Sequence, residues 1–387
     1  MSAALPHRSA LLALAALLAL LPGVASAQAH YIAFGDSITA GVGDAPGRAF
    51  PGYPPRLVNL LASRGVTAIV DNFGLGGETT SGGLSRLPSV LAANPGATGL
   101  LLMEGTNDIN EKVSVETIIT NLGLMAQKAE AKGLHVVLAT LVPRLPDANT
   151  DGGNIVNGEL AAAIRDLAWA SSRRLADPFE VFNLTPHAIP DDYAGGTDKL
   201  HPNAKGYDLL AQIFADVLTG IDKVPPVTGL VDPGNGQQGV PANSQIAITL
   251  YDFGAGIDLS SVQLAINDQA VTPVVSGDKS KLVLSFTPPQ PLKGVVDVNL
   301  HAQDLATPPN VRDGLVSEFI VAGTTFLAGD LNRDGRVDGA DLVILALAFG
   351  AHRYDSRYNI NADFNGDGIV DGLDLAVIAA NFGKSSF

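Results

Sequence analysis

The sequence has 387 residues, a formal net charge of −15 from 24 Lys+Arg against 39 Asp+Glu, and no cysteine. That charge balance leaves no basic surface for nucleic-acid phosphates, and the missing thiols exclude disulfides, thiol nucleophiles and cysteine-ligated metals. With 46% apolar and 16% charged residues the composition is that of a folded chain, and its length suggests two or three domains.

Residues 1–27 read as a leader. A short polar start with His7 and Arg8 precedes an apolar run from Ala10 to Leu21, then Pro22-Gly23 and the small residues Ala25-Ser26-Ala27. The run falls short of the roughly 20 residues needed to cross hydrocarbon, so a cleaved signal peptide and a secreted product without a membrane span are expected.

From 28 to 223 short apolar runs alternate with amphipathic stretches. Strands are expected at Tyr31–Phe34, Ala68–Val70, Leu100–Met103, His135–Ala139 and Phe179–Phe182. Helices are expected at Tyr53–Arg64, Ser81–Ala92, Val115–Lys132, Leu160–Arg174 and Asn203–Leu218. Continuously apolar strands suit a parallel sheet covered on both faces, hence an α/β three-layer, flavodoxin-like domain that binds ligands at the carboxyl ends of its strands.

Chemistry-bearing residues fall at those ends. Gly35-Asp36-Ser37 follows the first strand, Gly76-Gly77-Glu78-Thr79 the second and Gly105-Thr106-Asn107-Asp108 the third. Asp198-Lys199-Leu200-His201 precedes the last helix. A hydroxyl, an imidazole, a carboxylate, a glycine amide and a carboxamide are the inventory of acyl transfer, although Ser37 alone could equally cap a helix. Together these blocks resemble the SGNH (GDSL) hydrolase superfamily, whose motifs are Gly-Asp-Ser, a glycine, Gly-x-Asn-Asp and Asp-x-x-His. The resemblance implies Ser37 as nucleophile, His201 as base and Asp198 as its orienting acid. It also implies an oxyanion hole from the Ser37 amide, the Gly77 amide and the Asn107 side chain, with no catalytic cofactor. Glu78 replaces the family's aspartate and Gly76 is an extra glycine, so Gly76 remains an alternative to Gly77.

Other residues near these blocks have plainer readings. Asp108 is expected to fix its loop, Trp169 to pack, and His187 and Asp191-Asp192 to lie in solvated turns.

At Val224-Pro225-Pro226 the pattern changes. Residues 224–323 show alternating short strands at Ile246–Tyr251, Val262–Ile266, Leu282–Phe286, Val295–Leu300 and Ser317–Val321, separated by turn clusters. They predict an immunoglobulin-like β-sandwich. Asp252-Phe253-Gly254-Ala255-Gly256-Ile257-Asp258 resembles a segment of bacterial immunoglobulin-like modules. Such a module serves as a spacer, with carbohydrate binding or a calcium turn as alternatives.

Residues 324–387 contain a repeat in which Asp330 corresponds to Asp363. The first copy places oxygen donors at Asp330, Asn332, Asp334, Asp338 and Asp341 around Gly335, with the Arg336 carbonyl between them. The second repeats this with Asp363, Asn365, Asp367, the Ile369 carbonyl, Asp371 and Asp374 around Gly368. Oxygen-only donors at loop positions 1, 3, 5, 7, 9 and 12 are those of an EF-hand loop and suit Ca²⁺, two ions in all. Helices are expected after each loop but not before the first. Loop plus exiting helix, twice, resembles a dockerin, a small α domain that docks on cohesin-type scaffold proteins. Gly339-Ala340 and Gly372-Leu373 stand where many dockerins carry hydroxyl residues.

The sequence therefore suggests a secreted ester hydrolase of the SGNH type acting on an ester substrate, with acetylated polysaccharide favoured by the dockerin-like tail. Lysophospholipase, thioesterase or arylesterase activity in the same family is the alternative, and a catalytically silent adhesion or scaffold component is the reading from another class.

Overall fold

A computed structural model describes residues 28–44, 47, 51–144, 153–184, 200–323, 327–332, 336–352 and 357–385. The leader at 1–27 lies outside them, as do His187, Asp191, Asp192, Asp198 and Asp334. No described helix is long and apolar enough to cross a membrane.

The N-terminal part is a three-layer α/β domain. Its five strands are β1 (Ala29–Gly35), β2 (Ala68–Gly74), β3 (Gly99–Met103), β4 (His135–Ala139) and β5 (Arg174–Ala176). They pair in parallel in the order β2-β1-β3-β4-β5. β3 is buried at every residue, which is why the central run Gly-Leu-Leu-Leu-Met shows no alternation. The order reverses between β1 and β3, so the chain leaves these adjacent strands in opposite directions and opens a crevice at their carboxyl ends.

The helices are α1 (Ser37–Ala40), α2 (Tyr53–Ser63), α3 (Thr80–Ala93), α4 (Thr106–Asn110), α5 (Val115–Glu130), α6 (Gly153–Ala170), α7 (Pro178–Leu184) and α8 (Ala204–Thr219). α2 packs on α8, where Tyr53 stacks on Phe214 at 4.7 Å between ring centroids. α3, α5 and α6 pack in series.

One expected strand is a helix. Phe179–Phe182 reads as β by its aromatic and β-branched residues, yet it lies in α7, and the fifth strand is the short β5 just before it. Pro178 stands at the first helical position and the Asp177 side chain accepts from the Glu180 amide at 3.1 Å. This start signal outweighs strand propensity, and Phe182 is still fully buried.

The middle part is a β-sandwich. One sheet has the order β10-β11-β7-β6, from β6 (Val227–Asp232), β7 (Ile246–Tyr251), β10 (Val274–Asp278) and β11 (Lys281–Phe286). The other has the order β13-β12-β8-β9, from β8 (Gln263–Ile266), β9 (Gln269–Val271), β12 (Val295–Gln303) and β13 (Val311–Ile320). Ile248, Leu250, Leu282, Leu284, Val296, Val298, Leu300 and Phe319 form its core. β10 escapes sequence detection because it is an edge strand exposed at every residue.

Among its described residues the C-terminal part has two helices, α9 (Gly339–Ala348) and α10 (Gly372–Asn381). Val337 and Val370, and Leu345 and Ile378, are equivalent residues of the two copies and meet in one small core.

Candidate active site and acidic loops

Ser37 begins α1 directly after β1. Asp36 caps that helix, its Oδ1 accepting from the Ile38 amide at 2.9 Å. Burial is the main cause that raises the Asp36 carboxyl above its ordinary value. Ser37 is itself only 7% exposed, and its Oγ lies 2.8 Å from His201 Nε2 across 164 residues of sequence. His201 stands two residues before Asn203, which caps α8 by accepting from the Lys205 and Gly206 amides at 2.9 and 3.2 Å. The switch-point crevice and the start of α8 thus bring together a hydroxyl and an imidazole at the distance of proton transfer. Asp198 lies outside the described residues.

The glycine turn follows β2. The Glu78 amide donates to the Leu75 carbonyl at 3.2 Å, closing a β-turn in which Gly77 has φ +77°, a conformation that glycine adopts without penalty. A Cβ added to Gly76 would stand 3.9 Å from Ser37 Cβ, whereas one on Gly77 would meet nothing within 4 Å. Of the two, Gly76 is the glycine that faces Ser37. Asn107 joins the turn by donating from Nδ2 to the Glu78 carbonyl at 2.8 Å. A carboxamide nitrogen carries two hydrogens, so one remains for a ligand.

Asp108 and Glu78 set these loops. Asp108, 1% exposed, accepts from Thr80 N at 2.8 Å and Thr80 Oγ1 at 2.6 Å, tying the loop after β3 to the start of α3. This is the loop-fixing role expected of it. Glu78 takes Arg86 in a bidentate pair, and Arg86 also donates to the Phe73 carbonyl at 2.9 Å and lies 4.1 Å over the Phe34 ring. The longer side chain at 78 therefore reaches a guanidinium beneath the turn.

Two residues that sequence reasoning missed support the site. Arg56, on α2 and 6% exposed, donates from Nη1 to Asp44 Oδ2 at 2.6 Å and to the Gly52 carbonyl at 2.7 Å. Its Nη2 donates to Asp44 Oδ1 at 2.9 Å and its Nε to Asp208 Oδ1 at 2.5 Å. The guanidinium fork clamps the segment after Ser37 to the helix after His201. Glu104, the last residue before Gly105, is fully buried and neither carboxyl oxygen has a hydrogen-bond partner among the described residues. Desolvation, then the charges of Asp36 and Glu78, push its carboxyl up to about 10, so it is neutral at physiological pH. An acid in an otherwise apolar strand end was the available signal for Glu104. Arg56 had none, because its partners are distant in sequence.

The acidic loops are built as the repeat implies. Asp363 is 3% exposed; its Oδ1 accepts from the Gly366 amide at 2.8 Å and its Oδ2 from the Gly368 amide at 2.9 Å. Gly368 has φ +89°. Asp374, fully buried, accepts from the Phe364 and Asp371 amides, and Asp341 does the same for Leu331 and Asp338 in the other copy. Asp338 and Asp371 cap α9 and α10 in matching capping boxes. Burial, with the neighbouring Asp363 charge, raises the Asp374 carboxyl. Buried acids close to one another in an all-oxygen donor set fit a hard divalent cation. Asp330, Asn332, Arg336, Asn365, Asp367 and Ile369 lie on the same two loops, and Asp334 is outside the described residues.

Comparisons with known proteins give two family matches on this chain. The GDSL-like lipase/acylhydrolase family matches residues 33–209, and the dockerin type I domain, a calcium-binding module, matches 328–382. Esterase TesA of Pseudomonas aeruginosa is 38% identical over 122 residues, which cover 31% of this chain and 58% of that protein. The chain thus spans a little over half the length of this relative. The crystal structure of a lipase/acylhydrolase from Enterococcus faecalis is 25% identical with a TM-score of 0.41, covering 51% of this chain and 98% of that one. A crystal structure of TesA is 26% identical with a TM-score of 0.41, covering 50% and 99%. The two family matches, over 33–209 and 328–382, identify the chain as one that carries a GDSL/SGNH hydrolase domain and, at its C-terminal end, a type I dockerin domain.

Proposed function

We propose that the protein is a secreted carboxylic ester hydrolase that works through a covalent acyl-enzyme at Ser37. The observation that carries this reading is the 2.8 Å contact between Ser37 Oγ and His201 Nε2, at the mouth of a crevice bordered by Gly76, Gly77 and Asn107. In the proposed mechanism His201 takes the Ser37 proton as Oγ attacks the ester carbonyl. The resulting oxyanion rests on the Ser37 amide, the Gly77 amide and Asn107 Nδ2. Collapse breaks the bond to the alcohol oxygen, which leaves with the proton held by His201. Water, deprotonated by His201, then attacks the acyl-Ser37 carbonyl and releases the acid, returning the proton to Oγ. Asp198 orients His201 in this scheme.

The modules we assign are a leader at 1–27, the hydrolase at 28–223, a β-sandwich spacer at 224–323 and the dockerin at 324–387. Calcium would be held by Asp330, Asn332, Asp334, Arg336, Asp338 and Asp341, and by Asp363, Asn365, Asp367, Ile369, Asp371 and Asp374, one ion in each loop, and would organise the loops from which α9 and α10 exit. Val343, Leu347 and Leu373, exposed at 59%, 69% and 62%, offer an apolar face for a cohesin-type partner. Docking on an extracellular scaffold favours polymeric substrates over free lipids, so the ester we propose is an O-acetyl group on a polysaccharide.

The test compares rates on p-nitrophenyl acetate, p-nitrophenyl palmitate and acetylated xylan, with Ser37→Ala as the blank. Acetate release from the first and last, lost in Ser37→Ala with an unchanged circular dichroism spectrum, is the expected result. Activity only on palmitate would overturn the deacetylase reading, and no activity on any ester would overturn the enzyme reading.

A further inference from the structure

Between the hydrolase domain and the sandwich, three acids converge from distant parts of the chain. Asp222 lies in the linker after α8, Asp252 follows β7, and Asp304 follows β12. One carboxylate oxygen from each lies within 4.8 Å of the others. Asp252 and Asp304 are 7% and 2% exposed, and none of the three forms an ion pair among the described residues.

Backbone amides orient the cluster. Asp222 Oδ2 accepts from Ala255 N at 2.7 Å, and Asp304 Oδ1 accepts from Ala306 N at 3.1 Å and Asn310 N at 2.8 Å. Asp252 Oδ1 accepts from Gly254 N and Gly256 N, both at 2.8 Å, which leaves Oδ2 buried without a hydrogen-bond partner among the described residues. A Cβ at Gly254 would stand 2.1 Å from Asp222 Oδ2, so only glycine lets the linker carboxylate approach. Burial and the charges of Asp222 and Asp304 push the Asp252 carboxyl up to about 6. Three converging acids, one with an orphaned buried oxygen and none ion-paired among the described residues, are a costly arrangement that a cation relieves.

We propose that Asp222, Asp252 and Asp304 form a calcium site outside the dockerin, in which the ion fastens the linker of the hydrolase domain to the sandwich. Calcium fits because it takes about six to eight oxygen ligands in a flexible geometry, whereas magnesium demands a near-ideal octahedron and keeps several waters. A cleft of about 830 Å³ lined by Asp222, Asp252, Phe253 and Thr307 gives solvent access for the remaining ligands.

The site has a built-in reporter. Trp169 is the single tryptophan of the chain, and its ring lies 6.2 Å from that of Tyr251, the residue preceding Asp252. The test uses the full chain in three forms: wild type, Asp252→Asn/Asp304→Asn, and a dockerin-loop variant Asp330→Ala/Asp363→Ala. Bound calcium is counted by equilibrium dialysis, and terbium is titrated while tryptophan is excited selectively. The expected results are one calcium fewer per chain in Asp252→Asn/Asp304→Asn than in wild type, and tryptophan-sensitised terbium emission that survives in the dockerin-loop variant but is lost in the junction variant. Equal calcium counts in wild type and junction variant would overturn the proposal. Should the junction variant fail to fold, absence of sensitised emission in the dockerin-loop variant overturns it equally. Neither outcome bears on ester hydrolysis, which is read separately.

Discussion

Arg56 shows how much of the candidate site is held from behind. Its guanidinium joins Asp44, Gly52 and Asp208, so the segments carrying Ser37 and His201 keep their spacing only while the fork is intact. Arg56→Lys cannot reproduce several directed bonds with one ammonium. We expect kcat on p-nitrophenyl acetate to fall about 10–100-fold with KM little changed, because small displacements of reacting groups are costly, and the pH profile should keep its form. Asn107→Ala should lower kcat about 10²–10³-fold by removing a proposed oxyanion donor. Glu104 gives a stability prediction. Its carboxyl is raised to about 10 in the fold but ionises near its ordinary value when unfolded. The unfolded chain therefore holds fewer protons between these limits, and stability is lost as pH rises through that window. Glu104→Gln removes this loss. In urea unfolding the variant should exceed wild type by on the order of 1–3 kcal/mol at alkaline pH, with the difference shrinking towards pH 5.

At the scale of elements, the two exit helices depend on their loops. α9 and α10 have ten residues each, too short to be stable alone in water. Their shared core is small, with Leu331, Val337, Leu345, Ala348, Ala362, Val370 and Ile378. Metal binding supplies folding free energy to such modules. Addition of EGTA should remove the helical circular dichroism contributed by α9 and α10, and excess calcium should restore it. A spectrum insensitive to the chelator would remove calcium from the folding of this domain. α7 carries the complementary lesson, since Pro178 and Asp177 decided its conformation against the propensity of Phe179–Phe182.

Across the whole molecule, the hydrolase domain and the sandwich are joined by buried polar contacts. Arg165 on α6, 3% exposed, donates to Asp177 Oδ2 at 2.7 Å, to Glu180 Oε2 at 3.0 Å and to the Thr228 carbonyl of the sandwich at 2.6 Å. Arg312 of the sandwich reaches back to Glu180 and to the Pro226 carbonyl at 2.6 Å. Trp169 donates to Ser280 at 3.3 Å, and the Lys281 ammonium lies 4.3 Å over its ring; the residue expected to pack stays 39% exposed, and its partner is the other module. Arg165→Leu would strip buried Asp177 of its ion-pair partner while Glu180 keeps Arg312, at a cost of about 3–5 kcal/mol. We expect a lower melting temperature and separate transitions for the two modules where wild type shows a joint one, measured by differential scanning calorimetry.

The sequence by itself determined the local chemistry. Apolar runs without alternation marked a covered parallel sheet, alternating runs marked the sandwich, and the spacing of Asp363, Asn365, Asp367, Asp371 and Asp374 marked a loop of oxygen donors suited to a cation. These signals are legible because each lies within one element or one turn, where backbone geometry converts spacing directly into shape. Tertiary structure alone decided what meets across the chain. It brought His201 to Ser37, Arg56 to Asp44 and Asp208, Glu104 into burial near Asp36 and Glu78, and Asp222 to Asp252 and Asp304. Those pairings depend on strand order and on which faces are buried, and burial is a property of the packed whole. The charge of −15 read at the outset thus has two origins. Part is written locally in the repeated loops, and part consists of acids whose partners, or lack of them, exist only once the modules are packed together.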